Sequence, residues 1–478
     1  MSGDESFHAA DAEAEIERLA RTATLVDWKA PNGEVFSMSV PPTVYPPRED
    51  TDLLASVLTS QRLTPKTRWL EIGSGSGVLS LYAARLGCHI TACDVNPFAV
   101  ACTRAHFEQH GLRATVLEGG PGPTDDGKSA QWGGDQTYDV VVWNTPYLGG
   151  EALRGAKLGP FEEAALTDND QTGLYVRMLH RLASSNLLSP HGVAYMTVSS
   201  KGVGDTACEM AWAAGMAARC VATRLFADGE RLSVIALWKP YVDAPMVHRS
   251  HTKSTNDDVM AFAGAVGASV RADNQSSGRG RRGRTWQSYP GAFMASWLVH
   301  SGQGWSHVTA DQLRVGEAMV RMVRFMSGGM ARDVCLKWPN DLFVRLSDGH
   351  MKKAGGVLFE AISQGETHHV LLGIGLNLDA SGDEHGSLQD LGHHVCAADL
   401  HPQLHAMVAS LFERLALLPR LDSSDEVEQA VLHGEELLGP LLYRGQESNL
   451  LGVNVDGSLR LEGIEALDEP EDVTWSGV

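Results

Sequence analysis

Between residues 68 and 142 the sequence alternates short strands with helices, and this alternation restricts the fold more than any other feature. The strand-like segments are rich in β-branched and aromatic residues and read RWLEI, HITACD, ATVLEG and YDVVVWN. Helical stretches such as Val78 to Arg85 separate them. Strands that alternate with helices form a parallel sheet with helices on both faces. The sequence therefore predicts a doubly wound α/β domain.

The segments on either side of this region divide the rest of the chain. With 478 residues the chain is too long for one compact core, so several domains are expected. Apolar residues recur at helical spacing from about Ala9 to Trp28, which predicts an amphipathic leading helix. The predicted order is a helical extension at residues 1–36, an α/β domain at 37–239, a proline-containing linker at 240–250, a second domain of helices and strands at 251–420 and a small β-module at 436–468.

The charge balance limits the partners that the chain can attract. It has 39 Lys+Arg against 59 Asp+Glu, for a formal net charge of −20. Non-specific binding to nucleic acid depends on neutralising phosphates with Lys and Arg, so the acidic balance argues against that class of function. Local basic loops can still bind small phosphate groups.

Cysteine usage and the first residues indicate a cytoplasmic protein. The seven cysteines are scattered and never have CxxC spacing, which predicts reduced thiols and no zinc site. The first residues, MSGDESFHAADAEAEIERLA, are acidic and lack the basic start and apolar stretch of a signal peptide. No apolar run approaches the length that spans a membrane.

A glycine-rich turn connects the strand RWLEI to the following helix. Gly73, Gly75 and Gly77 allow a tight turn and a close approach of the backbone to a ligand, with helix N–H groups pointing outward. Asp94 ends the next strand, where an acidic residue can bond both ribose hydroxyls of an adenosine ligand. By itself the glycine turn also fits dinucleotide-binding domains or plain tight-turn chemistry.

A second polar turn follows the strand YDVVVW. Its residues Asn144, Thr145, Pro146 and Tyr147 can offer an amide, a rigid backbone carbonyl and an aromatic face. This combination can hold a planar N–H group in line with a methyl donor.

Together with VYPPREDTDLL at Val44 to Leu54, these motifs resemble the class I S-adenosylmethionine (SAM)-dependent methyltransferases, and more narrowly the HemK-like protein-glutamine N5-methyltransferases. The resemblance covers roughly residues 37–238 and implies a Rossmann-like fold that binds SAM. The implied cofactor-binding residues are Glu71, Gly73, Gly75, Gly77 and Asp94. Asn144, Pro146 and Tyr147 would hold the accepting nitrogen, which in relatives is a glutamine of a peptide-release factor.

Two positions depart from this family pattern. Thr145 stands where the family usually has proline, which predicts a less rigid turn. Gly120 stands where an aspartate commonly contacts the adenine amino group, and Asp125 is a candidate to replace it. Three interpretations stay open: a glutamine methyltransferase, a nucleic-acid amino-methyltransferase acting on adenine or cytosine, and a non-catalytic scaffold.

The stretch SSGRGRRGRTWQSYPG at residues 276–291 is strongly basic in an acidic chain. Four arginines fall within six residues and alternate with glycines. Guanidinium groups bind phosphate oxygens in pairs, and the glycines let the loop fold over a ligand. Alone, the stretch also fits a solvated loop or a nucleic-acid contact.

Four further motifs accompany the basic loop in a fixed order. They are KSTNDD at 253–258, LKWPNDL at 336–342, MKKAGGVLFE at 351–360 and GIGLNL at 373–378. The set resembles the catalytic domain of biotin protein ligases over about residues 250–418, and the tail resembles that family's small C-terminal SH3-like β-module. The resemblance implies an α+β domain that uses ATP and Mg²⁺ to form biotinyl-5′-AMP and passes biotin to a lysine of a carboxylase carrier domain.

The predicted ligase site combines this resemblance with charge chemistry. Joining a carboxylate to an α-phosphate brings two anions together, so fixed cations lower the barrier, and Lys353 and Arg281 are the catalytic candidates. The predicted biotin and ATP residues are Ser254, Thr255, Asn256, Gln275, Gly278, Arg279, Gly280, Arg281, Arg284, Trp286, Asn340, Lys353, Gly355, Gly356 and Asn377.

Some biotin ligases carry a DNA-binding winged helix. Here a methyltransferase-like domain precedes the ligase, so no operator DNA is expected.

Overall fold

The computed structural model describes residues 22–59, 63–121, 132–134, 136–146, 148–149, 167–168, 173–280, 283–284, 286, 289, 291–305, 308–328, 333–379, 385–419 and 425–478. The chain forms two compact units. Unit 1 consists of Met1–Lys239 and Arg414–Arg420, and unit 2 of Pro240–Glu413 and Leu421–Val478.

Unit 1 contains one large sheet of seven strands, two separate two-stranded sheets and helices between the strands. Its strands are β1 Thr24–Lys29, β2 Val35–Val40, β3 Arg68–Ile72, β4 His89–Asp94, β5 Thr115–Glu118, β6 Tyr138–Trp143, β7 Leu148–Gly149, β8 Thr167–Asp168, β9 Leu188–Ser199, β10 Ala217–Leu225 and β11 Arg231–Trp238. Its helices are α1 Glu49–Thr59, α2 Val78–Arg85, α3 Pro97–Gln109, α4 Leu174–Ser184 and α5 Ala207–Ala213.

The strand order of the large sheet of unit 1 is β10-β11-β9-β6-β3-β4-β5. The five strands from β9 to β5 run parallel, and β11 and β10 add an antiparallel edge. Its centre is filled by fully buried aromatic side chains such as Trp69, Tyr195 and Trp238. The α/β architecture expected from the strand–helix alternation is therefore confirmed for this unit.

The start of unit 1 differs from the predicted leading helix. Residues 24–28 of that helix lie in β1, which pairs with β2 as an antiparallel hairpin, so the helix prediction is wrong there, and the 36/37 boundary cuts β2. The residues of β2 alternate between exposed and buried, the period of a strand. Gly33, with φ of 88°, makes the turn. The rest of the predicted helix, at 9–21, lies outside the described residues.

Unit 2 contains a second large sheet, also of seven strands, and two small three-stranded sheets. Its strands are β12 Met246–Arg249, β13 Ser269–Ala272, β14 Phe293–Gly302, β15 Val334–Lys337, β16 Asp341–Arg345, β17 Met351–Gln364, β18 Thr367–Leu376, β19 Leu441–Tyr443, β20 Gln446–Glu447, β21 Leu450–Val453, β22 Leu459–Leu461, β23 Ile464–Leu467 and β24 Val473–Trp475. Its helices are α6 Thr255–Val259, α7 Val308–Met326, α8 Ala397–Phe412 and α9 Asp425–Leu438. The order of the large sheet is β12-β13-β14-β18-β17-β16-β15.

Two segments differ from the predicted domain limits. The predicted linker at 240–250 contains β12, which pairs in parallel with β13 and so belongs to the sheet of unit 2. Residues 414–420, predicted as the end of the second domain, belong to unit 1. There the Tyr195 hydroxyl donates to the carbonyl of Leu417, and Arg219 donates to the carbonyl of Pro419 at 3.0 Å. The other predicted domain limits stay predictions.

Two small sheets follow α9 at the predicted β-module. Their strand orders are β20-β19-β24 and β21-β22-β23, so the strands continue past residue 468 to Trp475. A module of small β-sheets is thus present, and its description as SH3-like stays a prediction. None of the described helices combines the length and apolarity that a membrane crossing requires. The predicted cytoplasmic location stays a prediction.

Two histidines of α8 are buried neutral in the core of unit 2. Trp297 Nε1 donates to Nδ1 of His405 at 3.0 Å, so that nitrogen must carry no proton. Burial lowers the pKa of His405 to about 4. Burial, with smaller contributions from His405, Arg271 and His248, lowers the pKa of His401 to about 3. Protonation of either ring therefore opposes the fold.

We expect the free energy of unfolding of unit 2 to fall by roughly 2–4 kcal/mol between pH 7 and pH 5. Below pH 6.5 these histidines are protonated in the unfolded chain but stay neutral in the fold, so the free energy of unfolding decreases as the pH falls. Urea unfolding at both pH values, followed by tryptophan fluorescence, measures this. His405→Gln keeps a hydrogen-bond acceptor for Trp297 but has no titrating ring, so its unfolding free energy should depend less on pH. Equal urea midpoints at pH 5 and pH 7 in the unmodified protein would contradict the predicted loss of stability.

Candidate functional site

Unit 1 has a cavity of about 140 Å³ where β3, β4 and β6 end. Parallel strands bring their carboxyl ends to one edge of a sheet, which is where α/β folds bind ligands. The predicted residues that line it are Glu71, Gly73, Gly75, Asp94, Asn144 and Pro146. Tyr147 lies outside the described residues. The structure therefore brings the glycine turn, the acidic residue and the amide together.

The glycine turn has the backbone that its sequence predicts. Gly73, Gly75 and Gly77 have φ values of 64°, 53° and 76°, all in the left-handed region. The N–H of Gly77 closes the turn by donating to the carbonyl of Ser74 at 2.7 Å. Gly77 is not among the residues that line the cavity; a Cβ there would lie 2.8 Å from Cγ2 of Thr103.

We expect Gly77→Ala to lower the free energy of unfolding by about 1–3 kcal/mol more than Gly215→Ala does. Both glycines have φ of 76°, but nothing lies within 4 Å of a Cβ at Gly215. Alanine is therefore equally strained by φ at both positions, and the difference between the two losses of unfolding free energy reports the contact with Thr103. Urea unfolding of the two variants measures this difference. Equal midpoints would show that α3 shifts to accommodate the new methyl group without a loss of stability.

Asp94 is a buried carboxylate held by backbone N–H groups. Oδ2 accepts from Gly75 at 2.8 Å, and Oδ1 accepts from Asn96 at 2.8 Å. Burial raises the pKa of Asp94, and the hydrogen bonds from the backbone of Asn96, Gly75 and Val95 oppose that rise. Three backbone hydrogen bonds on four lone pairs leave one lone pair for a ligand. The arrangement suits a ligand hydroxyl.

Glu71 lines the same cavity but is bound to the protein. It accepts hydrogen bonds from the backbone N–H of Ser80, at 2.9 Å, and from the Ser80 hydroxyl. Burial raises the pKa of Glu71 to about 8, and the two hydrogen bonds from Ser80 oppose that rise. Its visible contacts anchor the first turn of α2.

The two departures from the family pattern have clear surroundings. Thr145 is buried and tied to Thr197 through its N–H, at 3.1 Å, and through its hydroxyl, so the turn is not loosened as expected. Gly120 lines the cavity, and a Cβ there would lie 3.1 Å from Cγ1 of Val95. Asp125 lies outside the described residues.

Unit 2 has a larger cavity, of about 450 Å³, over its central strands. The predicted residues that line it are Ser254, Thr255, Asn256, Gln275, Arg279, Gly280, Arg284, Trp286, Asn340, Lys353 and Gly356. Gly278, Gly355 and Asn377 are not among its lining residues; the Asn377 amide donates to the carbonyl of Gly386 at 3.1 Å. Arg281 lies outside the described residues.

One end of this cavity is a network of polar groups, in which uncharged side chains are joined to Arg279 and two carboxylates. The Thr255 N–H donates to Oε1 of Gln275 at 2.8 Å, and the Thr255 hydroxyl lies 2.7 Å from the Ser296 hydroxyl. Ser296 in turn donates to Oδ1 of Asn256. Asn256 donates to Glu360 at 2.5 Å, and Arg279 pairs with Asp257 at 2.6 Å and Glu360 at 3.4 Å. The network fixes the polar end and attaches Arg279 to it.

The other end of the cavity is cationic. Lys353 Nζ lies 2.6 Å from Oδ1 of Asp341 and 5.7 Å from the centroid of the Trp286 ring. Lys337 lies between the rings of Phe343 and Trp475, at 5.1 and 5.9 Å. Burial lowers the pKa of Lys337, Lys353 lowers it further, and Asp341 raises it. Two lysines with a single carboxylate between them suit an anionic ligand.

Some residues that line the two cavities are not among the site residues predicted from the sequence. In unit 2 they include Lys337 and Asp341, which are part of the LKWPNDL motif, and Ser296 and Glu471, which no motif marks. In unit 1 they include Tyr45 and Thr51 of the VYPPREDTDLL motif. No group of three or more metal-binding side chains occurs within the described part of the chain.

Comparison with known proteins matches one family to each unit. The Biotin/lipoate A/B protein ligase family model matches residues 250–377, and the Methyltransferase small domain model matches residues 48–171. Unit 1 resembles the Release factor glutamine methyltransferase of Geobacter sulfurreducens, with 29% identity over 32% of this chain and 52% of that protein. The predicted combination of a methyltransferase domain with a biotin ligase domain is confirmed.

Unit 2 resembles the Bifunctional ligase/repressor BirA of Salmonella typhimurium, with 31% identity over 44% of this chain and 67% of that protein. Among solved structures, a biotin protein ligase from Aquifex aeolicus in complex with biotin and ATP aligns with 49% of this chain and 96% of that chain, at 20% identity and a TM-score of 0.35. The chain spans about half the length of several other curated relatives, such as 55% of a Paracoccus denitrificans biotin ligase. Through its second unit the chain belongs to the biotin/lipoate A/B protein ligase family, and it carries this ligase domain together with a methyltransferase small domain.

Proposed function

We propose that unit 2 activates biotin with ATP and transfers it to a lysine of a carboxylase's biotin carboxyl carrier domain. The observation that carries the proposal is one cavity with a polar hydrogen-bonded end and a cationic end. Ser254, Thr255, Asn256 and Gln275 provide donors and acceptors that suit the neutral ring of biotin. Lys353 and Arg284 provide positive charge where a carboxylate would meet a phosphate.

The residues present fit these ligands. Trp286 Nε1 is buried and has no hydrogen-bond partner among the described residues, so it is a donor available to a ligand. A Cβ at Gly375 would lie 2.6 Å from Cζ2 of Trp286, so glycine is required for the indole to lie against β18. The indole thereby forms an apolar wall of the cavity.

In the first step the biotin carboxylate attacks the α-phosphorus of ATP, an acyl–phosphate bond forms and pyrophosphate leaves. Lys353 and Arg281 would stabilise the charge at this junction and Arg284 would contact the triphosphate, while Mg²⁺ bound with the nucleotide would neutralise the charge of the leaving group. In the second step the lysine amine of the carrier domain attacks the acyl carbon, loses a proton and displaces AMP.

The test uses the full chain with biotin, Mg-ATP and a carrier domain. The expected result is a biotin-sized mass increase on the carrier domain, which disappears when its acceptor lysine is replaced by arginine. An unmodified carrier domain, with active protein confirmed by biotin binding, would reject the proposal.

For unit 1 we infer transfer of a methyl group from SAM to a planar nitrogen. The observation that favours it is that Asp94, beside the glycine turn, and Asn144 line one cavity. A ribose hydroxyl fits the remaining lone pair of Asp94, and Asn144 would hold the acceptor. The Geobacter relative supports the glutamine amide of a release factor as that acceptor.

Calorimetric titration with SAM comes first, with biotin and a non-hydrolysable ATP analogue as the control for intact protein. Labelled SAM is then incubated with a release factor or with nucleic acid. Label on the release factor supports glutamine methylation, and label on nucleic acid favours an amino-methyltransferase. An absence of SAM binding would leave unit 1 as a scaffold.

A further inference from the structure

Thr197 lies directly behind Asn144. Strands β6 and β9 run parallel with Trp143 opposite Met196, so the next residues along each strand, Asn144 and Thr197, are also neighbours. Thr197 is fully buried and is not among the residues that line the unit 1 cavity. Any effect that it has on a ligand is therefore transmitted through Asn144 or through the turn at Thr145 and Pro146.

The hydroxyl of Thr197 acts towards Asn144 as a hydrogen-bond donor. Its oxygen accepts the backbone N–H of Thr145 at 3.1 Å. A hydroxyl has a single proton to donate, and Oδ1 of Asn144 lies 2.6 Å away to receive it. The amide is thereby held with its oxygen towards Thr197. Its Nδ2 has no hydrogen-bond partner among the described residues.

Thr145 makes this arrangement possible. A proline at the same position has no N–H and could not donate to Thr197. Thr145 also donates its own hydroxyl to the carbonyl of Thr197, so two hydrogen bonds tie the turn to β9. Hydrogen bonds between buried groups thus supply the rigidity that a proline ring would give to the turn.

We propose that Thr197 is a positioning residue that fixes the orientation of the Asn144 amide towards the methyl acceptor. The amide then presents the two N–H groups of Nδ2 and one remaining lone pair of Oδ1. Such a face is complementary to a primary carboxamide, which offers a carbonyl beside its NH₂ group, and not to the amine of a lysine. This inference rests on the proposed methyl transfer by unit 1.

The test compares Thr197→Val, which keeps the shape of the side chain without its hydroxyl, with Thr197→Ser, which keeps the hydroxyl. Methyl transfer from labelled SAM to a glutamine-containing peptide should lose about 10- to 100-fold in kcat in Thr197→Val, with the SAM affinity within twofold of the unmodified protein. Thr197→Ser should restore kcat. Ser233→Ala removes another buried hydroxyl, on β11, and should leave kcat unchanged.

A second readout does not depend on activity. The side-chain amide of Asn144 is observed by NMR in asparagine-labelled protein and assigned by its loss in Asn144→Asp. Its two proton signals should shift in Thr197→Val and return in Thr197→Ser. Unchanged signals would overturn the positioning role. Shifted signals in a protein that methylates no primary amide would instead reject the carboxamide as the methyl acceptor and leave the orientation of Asn144 intact.

Discussion

Replacing Lys353 with methionine is expected to slow the formation of biotinyl-5′-AMP by about 100- to 1,000-fold. Lys353 is held in the cavity by Asp341 and the Trp286 ring, so its charge is already in place when carboxylate and phosphate meet. Methionine keeps the length of the side chain and removes the charge. Biotin-dependent exchange of labelled pyrophosphate into ATP measures this step without a carrier domain.

The neighbouring lysine provides the matched control. Lys352 precedes Lys353 in β17 and is not among the residues that line the cavity. Lys352→Met should therefore exchange pyrophosphate at a rate within a few-fold of the unmodified protein. Equal exchange rates in the Lys352 and Lys353 variants would show that the charge of Lys353 does not act on the reaction.

Replacing Asp94 with asparagine is expected to weaken SAM binding by about 10- to 100-fold. Both oxygens of Asp94 accept backbone N–H groups, so an NH₂ group in place of either oxygen sets two donors against each other. A hydrogen bond from a ribose hydroxyl to a charged carboxylate contributes about 1.5–3 kcal/mol, and each 1.4 kcal/mol is a factor of ten in affinity. The negative charge offered to the ribose hydroxyls is lost as well. Calorimetric titration with SAM measures the affinity.

Glu118 is the control for Asp94. It lies opposite Asp94 on β5, is exposed and is not among the residues that line the cavity. Glu118→Gln removes one negative charge from the same sheet edge and should bind SAM like the unmodified protein. A similar loss of affinity in both variants would assign the effect to net charge, and an unchanged affinity in Asp94→Asn would remove Asp94 from the binding site.

The parts of the sites that could be predicted from the sequence are those in which the chemistry is local. The glycine turn needs its three residues and the strand and helix beside it, all within one short segment. Asp94 was predictable because a strand end fixes its place at the same sheet edge. The ligase cavity was predictable where contiguous motifs carry it, as at Ser254 to Asn256.

The rest depends on pairings that no local pattern records. Thr197 meets Thr145 across 52 residues, and Ser296 meets Asn256 across 40. The rigidity of the Thr145 turn was therefore misjudged from the residue type alone. The β1–β2 hairpin was missed because the strand period of β2 was not distinguished from helical spacing upstream. The pairing of β12 with β13 was missed because four residues are too few to show a period.

The return of residues 414–420 to unit 1 has a consequence for the order in which the protein is made. Ribosomes add about 5–20 residues per second, and domains usually fold as they emerge. The sheet of unit 1 is complete in sequence at Trp238, but the partners of Tyr195 and Arg219 are synthesised only with Leu417 and Pro419. Residues 414–420 of unit 1 are therefore synthesised roughly 10–40 s after Trp238, once most of unit 2 has been translated. A gene fragment that stops at residue 239 encodes this sheet without residues 414–420.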